Sequence, residues 1–371
     1  MISRGANCRR RAQLALLLTM VLACFSQFSP AQNAASPKPA PKERAEAFIH
    51  DFMQKNSIPG AVAAVAHAGD SPWIAAFGEA DIEQHVPVRP ETVFRIGSVT
   101  KLLTAEAVVL LAKAGKLDLD ADIRQYVPSF PAKEFSITAR QLAGHLAGIH
   151  HYGRSDFLNS QRQRSVAENL TRFENDPLLH PPGSKYLYSS YGYVLLGAVI
   201  EGAGKQDYLS YVTSAVLKPL AMEMTVPDFN DDLVPWRARP YSKRSDGTLM
   251  NGPYMDSSDR LAAGAFASTA GDLLKFGLAH LRPGLMPEDS YHLLFTPQKT
   301  TSGQETGVGF AWRIGEDSKG RTIYHHGGES VGGRAFLLIY PEDRLVVVFL
   351  CNLSFAPFDE KTAEALADIF R

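Results

Sequence analysis

Apolar positions recur with two different periods along this chain, and the periods separate its ends from its middle. Ala45, Phe48, Ile49 and Phe52 fall on one face at helical spacing, which predicts a helix over 43–55 ended by Pro59-Gly60. Segments 61–66 and 73–78 read as two strands joined by 67–72 into a hairpin. An apolar, helix-favouring run begins just after Gly97. Leu102, Leu103 and Leu110 predict a buried helix that ends near Gly115 and holds Ser98 at or near its first turn. The middle reads as helices over 138–146, 165–175, 191–202, 208–217 and 268–281, the last with Thr269 and Asp272 at capping-box-like spacing. Residues 229–256 are irregular and polar, with aromatics suited to rim a cleft. After Pro297 strands return over 309–314, 322–325, 334–340 and 344–351, and an amphipathic helix over 360–370 closes the chain.

Strands at both ends with helices between them predict an α/β (α+β) architecture. A sheet built from the two chain ends is covered by the terminal helices, and a mostly helical lobe is inserted. The sheet lobe is expected at about 43–125 and 297–371, and the helical lobe at about 126–296. A length of 371 residues suits one large domain or two intimate lobes, and 45% apolar content is ample for a large core. With net charge −1 and 21% charged residues, no polyanion, and so no nucleic-acid partner, is implied.

Residues 1–31 read as a signal peptide. Arg4, Arg9, Arg10 and Arg11 make a basic start, the apolar run 14–25 is short for a bilayer, and Ser29-Pro30-Ala31 offers a small-x-small cleavage site before Gln32. Val21-Leu22-Ala23-Cys24 resembles a bacterial lipoprotein box, with Leu22 unusual there, so a lipid anchor at Cys24 is the alternative to simple cleavage. The paired arginines suit twin-arginine export poorly, and the continuous apolar core argues against a mitochondrial presequence. An exported protein is expected, periplasmic or secreted, or membrane-anchored as a lipoprotein. Residues 32–42 read as a flexible leader. Cys351 alone then remains in the mature part, which leaves no internal disulfide and makes it a small buried apolar residue.

Candidate chemistry starts at Ser98-Val99-Thr100-Lys101, the one place where a serine has lysine three residues later. That spacing puts both side chains on one helix face. A serine hydroxyl is a poor nucleophile until a base removes its proton, and a lysine amine can do so only when neutral. Burial and the positive end of a helix both push an amine that way, and free N–H groups at the helix end suit an oxyanion. Alone, the tetrapeptide reads equally as a helix N-cap serine followed by a surface lysine. Other motifs fall away. Asp118–Asp122 mimics a calcium loop, but Ile123 stands where the loop needs glycine and Ser129 where it needs an acid, so these acids face solvent or cap 123–126. His145, His150 and His151 crowd together without an acidic partner at ligand spacing, so hydrogen bonding or packing outranks metal. Gly328-Glu329-Ser330-Val331-Gly332 matches the nucleophile elbow of α/β-hydrolases, yet 334–340 reads as strand where the elbow needs a helix, and no histidine lies beyond Ser330.

Two further stretches, Tyr188-Ser189-Ser190-Tyr191-Gly192-Tyr193 and His325-His326-Gly327-Gly328, complete a pattern. With Ser98–Lys101, Gly115-Lys116-Leu117-Asp118, His145-Leu146-Ala147-Gly148-Ile149, Pro182-Gly183-Ser184 and Ala263-Gly264-Ala265-Phe266-Ala267-Ser268-Thr269, the chain resembles the serine β-lactamase and penicillin-binding-protein superfamily on its class C side. Within it, the sequence is similar to the serine β-lactamase-like proteins typified by the mitochondrial member. The resemblance implies a β-lactamase/transpeptidase-like fold with an antiparallel sheet and no metal or organic cofactor. It makes Ser98 the acylated nucleophile, Lys101 its buried proton partner and Tyr188 the proton relay to the leaving group, with Lys101 as the cation that would lower the tyrosine's pKa. Backbone N–H groups of Ser98 and Glu329 would form the oxyanion hole. Ser190 stands where the family usually has asparagine, which holds a substrate amide. His326-Gly327-Gly328 replaces the family's Lys-Thr-Gly strand; the register one residue earlier, from His325, also matches. Because histidine is mostly neutral at pH 7, β-lactam hydrolysis is expected to be weak, and the natural substrate is expected to be a peptide, amide or ester without a demanded carboxylate. The opposing reading is a catalytically silent binding or filament-forming protein on the same fold.

Overall fold

Seven strands from the two chain ends form one antiparallel sheet. The elements that position the site are α1 (Pro41–Asn56), β1 (Gly60–His67), β2 (Trp73–Asp81), β3 (Val86–Pro87), α2 (Thr100–Lys113), α3 (Ser190–Gly204), α4 (Ala270–Ala279), β4 (Arg313–Glu316), β5 (Thr322–Ser330), β6 (Gly333–Tyr340), β7 (Leu345–Cys351) and α5 (Glu360–Ile369). In space the strands run β3-β2-β1-β7-β6-β5-β4, so the N-terminal hairpin joins the C-terminal strands where Ala61 faces Cys351 and His67 faces Leu345. The computed structural model describes residues 39–153, 156, 158–163, 165–282 and 288–371. The signal segment lies outside the described residues, as does most of the leader.

All of β7 is buried because both faces of the sheet are covered. Val347, Phe349 and Cys351 pack with Ala63, Val65, Phe336 and Leu338 under Ile49 and Met53 of α1 and Leu366 of α5. Val346, Val348 and Leu350 face the opposite way, into the larger core around α2. Burial pushes the Cys351 thiol up to about 12, as suits a packing residue.

Helix α2 is buried on nearly every side, so its few polar groups must find partners. Lys101 Nζ donates to the Ala263 carbonyl at 2.7 Å, and Thr104 Oγ1 donates to the Ala262 carbonyl at 2.6 Å. Thr100 Oγ1 accepts from the Phe266 N–H at 3.3 Å. These three bonds lay the segment 262–266 along the helix. Further down the helix, Glu106 pairs with the buried His280 at 3.2 Å.

Several expected boundaries move. Ser98 keeps its expected place near the first turn of α2, in a 3₁₀ turn, Gly97–Val99, just ahead of it. The helix expected over 138–146 keeps only Ala139–Ala143, because His145 turns left-handed at φ 59°. The one expected over 165–175 keeps Val166–Leu170, capped by Ser165. Ser268 ends a short strand, Phe266–Ser268, before Thr269 caps α4. Helix α4 then lies on β1 and β7, so residues 270–279 pack on the sheet and not within the expected helical lobe. The strand expected over 309–314 is Arg313–Glu316, and the one expected over 322–325 runs on to Ser330, which places His326-Gly327-Gly328 inside β5. Ser330 therefore sits in a strand–turn–strand and not in a nucleophile elbow. Asp122 caps Ile123–Gln125, accepting from the Arg124 N–H at 2.9 Å.

Where β5 passes the Ser98 turn, the two backbones touch. A Cβ on Gly328 would lie 1.9 Å from the Ile96 carbonyl oxygen, and one on Gly97, at φ +48°, would lie 2.4 Å from the Glu329 carbonyl oxygen. Gly328→Ala should therefore cost about 1–3 kcal/mol or more in chemical denaturation, while Gly315→Ala, which meets nothing within 4 Å, should cost about 0.5 kcal/mol at most. Equal effects would show that the crossing tolerates a side chain.

Candidate active site

The Ser98 turn, α2, the 188–190 entry to α3 and the 261–264 turn converge on one amine. Lys101 is fully buried, with its Nζ 3.2 Å from Ser98 Oγ, 3.1 Å from Ser190 Oγ and 2.7 Å from the Ala263 carbonyl. The Tyr188 hydroxyl donates to Ser98 Oγ at 2.9 Å. Burial, and next the Arg260 guanidinium, hold the Lys101 amine well below its usual pKa, which favours the neutral form. A neutral amine has two N–H bonds and one lone pair. Ala263 and Ser190 can take the N–H groups, which leaves the lone pair for the Ser98 proton.

Three histidines set the Tyr188 segment. His145 packs its ring on Tyr188 at 4.5 Å, and its Nδ1 accepts from the Ser189 N–H at 3.2 Å. His151 Nδ1 accepts from the Ser190 N–H at 3.1 Å. His150 pairs with Asp176 at 2.8 Å, and its carbonyl accepts from Ser189 Oγ at 2.8 Å. Burial foremost keeps His145 and His151 neutral, the latter at about 4. His145 and His151 therefore act through hydrogen bonds and packing.

The facing wall is β5. Its alternation sends His326 and Gly328 toward the nucleophile, while His325 turns to the α5 side, where it stacks on Phe336 and pairs with Glu360 at 3.0 Å. Burial foremost, with the Arg313 charge adding, holds the His326 ring well below its usual pKa. Glu329 approaches the site through its backbone, for its carboxylate is taken by Arg334 at 2.6 Å. Ser190 is brought in as expected, but its hydroxyl is engaged by Lys101. Ser98, His151, Tyr188, Ser190, His326 and Glu329 line a cleft of about 460 Å³.

One electrostatic expectation is overturned. Burial raises the Tyr188 pKa, and Arg313, not Lys101, is the cation that opposes the rise. Its guanidinium carbon stands 6.0 Å from the Tyr188 ring centroid. Tyr188 thus rests as a proton donor. Arg313 and Arg260 were missed by sequence reading. Arg260 is buried beside Asp259, bonded at 2.6 Å and backed by Arg172, and isolated charges of this kind leave no periodic signal.

The beta-lactamase family model matches residues 45–370. This chain belongs to the beta-lactamase family. The mitochondrial serine beta-lactamase-like protein LACTB of Homo sapiens is 31% identical, across 90% of this chain and 80% of its own length. A penicillin binding protein from Bacillus halodurans superposes with TM-score 0.74 at 26% identity, covering 87% of this chain and 99% of that one. The D-amino acid amidase from Ochrobactrum anthropi SV3 shares the fold at TM-score 0.77 and 21% identity, covering 88% and 97%. As a beta-lactamase-family protein, the chain is a serine beta-lactamase-like hydrolase.

Because Arg260 repels a charged Lys101, removing it favours the ammonium. If the neutral amine is the working form, activity falls as pH drops through its pKa. Arg260→Gln should then move the acid limb of the kcat/KM profile to higher pH, whereas Arg260→Lys, which keeps the charge, should leave it near wild type. An unmoved limb in Arg260→Gln would detach Lys101 from that limb.

Proposed function

We propose that this hydrolase cleaves a peptide, amide or ester bond through an acyl-enzyme on Ser98 and hydrolyses β-lactams weakly if at all. The observation that carries the reading is that the Ser98 hydroxyl lies between a buried amine at 3.2 Å and a phenol at 2.9 Å. In this reading Ser98 Oγ attacks the carbonyl carbon as its proton passes to Lys101 Nζ. The carbonyl oxygen takes the negative charge against the Ser98 and Glu329 N–H groups. The C–N or C–O bond breaks as Tyr188 protonates the leaving group, and water then releases the acyl group by the same steps in reverse.

Weak β-lactam turnover follows from His326. A buried, neutral ring offers no fixed positive charge to a β-lactam carboxylate. Export, to the periplasm or beyond, rests on the N-terminal pattern, with cleavage before Gln32 or lipidation at Cys24 as its two outcomes. No helix among the described residues is long and apolar enough to cross a membrane.

A fluorophosphonate should attach to Ser98, and intact-mass spectrometry of the expressed protein should find one adduct on a chain shortened at its N-terminus. Ser98→Ala should abolish the adduct. Lys101→Ala and Tyr188→Phe should lower kcat/KM on an ester by about 100- to 10,000-fold with much smaller losses of stability. An adduct elsewhere, or none on folded protein that also spares every ester and peptide offered, would overturn the acyl-enzyme. A cephalosporin kcat/KM near the diffusional ceiling, about 10⁸ M⁻¹s⁻¹, would overturn the weak β-lactamase reading. An uncut, unlipidated chain from an export-competent host would overturn the export reading.

A further inference from the structure

The wall of the cleft that faces β5 lacks a free binding group at the expected position. Ser190 is only 2% exposed, and its oxygen accepts from Lys101 at 3.1 Å. Three other polar side chains line this wall: Tyr152, Arg260 and His151. The Tyr152 hydroxyl is buried away from solvent. The buried Arg260 guanidinium is bonded to Asp259 at 2.6 Å and to the Asp156 carbonyl at 2.9 Å. His151 differs, for it is exposed in the cleft. Its ring is held by stacking on Tyr152 at 5.0 Å and by an edge contact with Tyr188 at 5.4 Å.

The Ser190 N–H also decides the His151 tautomer. A backbone N–H only donates, so the Nδ1 that lies 3.1 Å from it carries the lone pair, and Nε2 carries the hydrogen. Burial foremost holds the ring's pKa at about 4, so this neutral form persists through neutral pH. Among the described residues no hydrogen bond is made to Nε2. A neutral N–H donor suits a neutral carbonyl oxygen. A carboxylate would also need a positive charge, and that of Arg260 is already met by Asp259. On the acyl-enzyme reading, two of the three groups on the scissile carbonyl carbon have their places. Its oxygen lies against β5 and its leaving group at the Tyr188 hydroxyl, which leaves the acyl chain the wall with His151. Resting on that reading, we propose that the His151 Nε2–H binds the next carbonyl along the acyl chain, so that the substrate is an N-acylated aminoacyl compound, a peptide or its ester, and not a simple aliphatic ester. The role expected of position 190, holding a substrate amide, thereby passes to position 151.

The test compares kcat/KM for the p-nitrophenyl esters of N-acetylglycine and of pentanoic acid, which share a leaving group and a chain length and differ in the amide. His151→Asn keeps an acceptor for the Ser190 N–H near the Nδ1 position and removes the Nε2 donor. His151→Gln places an amide N–H near Nε2. The ratio of the acetylglycyl value to the pentanoyl value should fall about 3- to 10-fold in His151→Asn, the range of one neutral hydrogen bond, and His151→Gln should recover most of it. A merely structural role would lower both values together, and a ratio unchanged in His151→Asn would overturn the proposal. Fluorophosphonate labelling of Ser98 separates the two layers. Labelled wild type with an unchanged ratio in His151→Asn defeats the carbonyl contact alone, and wild type that does not label defeats the acyl-enzyme and the contact with it.

Discussion

Enclosing one lysine amine is the constraint from which this site follows. Leaving an ammonium in a low-dielectric interior costs several kcal/mol, and each unit of pKa displacement corresponds to about 1.4 kcal/mol. Among the described residues no carboxylate pairs with Lys101; its immediate partners are two hydroxyls and a carbonyl, and the charge that acts on it is the like-charged Arg260. The amine therefore gives up its proton. A group that would be a solvated cation on a surface helix becomes, through burial and the Arg260 charge, a base beside a serine.

Holding that amine requires parts of the chain far apart in sequence to be fixed together. The polar residues of α2 secure the 262–266 segment, and the histidines at 145, 150 and 151 secure the segment that carries Tyr188 and Ser190. On the far side, β5 reaches the Ser98 turn so closely that neither Gly97 nor Gly328 has room for a side chain. This closeness brings the Ser98 and Glu329 backbones together. The rest of the sheet, covered on both faces, provides the rigidity that keeps the crossing in place.

What could be read from the sequence divides along physical lines. The buried sheet strands and α2 announced themselves because packing imposes a period on apolar residues. Ser98, Lys101, Tyr188, Ser190 and His326 could be picked out because they stand in short local patterns. The helices expected over 138–146 and 165–175 come out shorter, since a cap such as Thr138 or Ser165 marks a start, whereas the stop comes from a left-handed His145 or an irregular turn that leaves no period. The return of α4 to the sheet is a long-range packing choice that its own amphipathic pattern does not specify. Electrostatics was least legible. Lys101 was expected to lower the Tyr188 pKa, but a neutral amine cannot, and the opposing charge comes from Arg313 on an edge strand.

The charge on Lys101 at rest is the claim on which the account depends. It can be read by ¹⁵N NMR of side-chain-labelled lysines, with the Lys101 Nζ signal assigned by its loss in Lys101→Met. The account predicts a neutral-amine shift that persists down to a pH well below the ordinary lysine value of 10.5. An ammonium signal that persists until pH passes about 10.4 would contradict it.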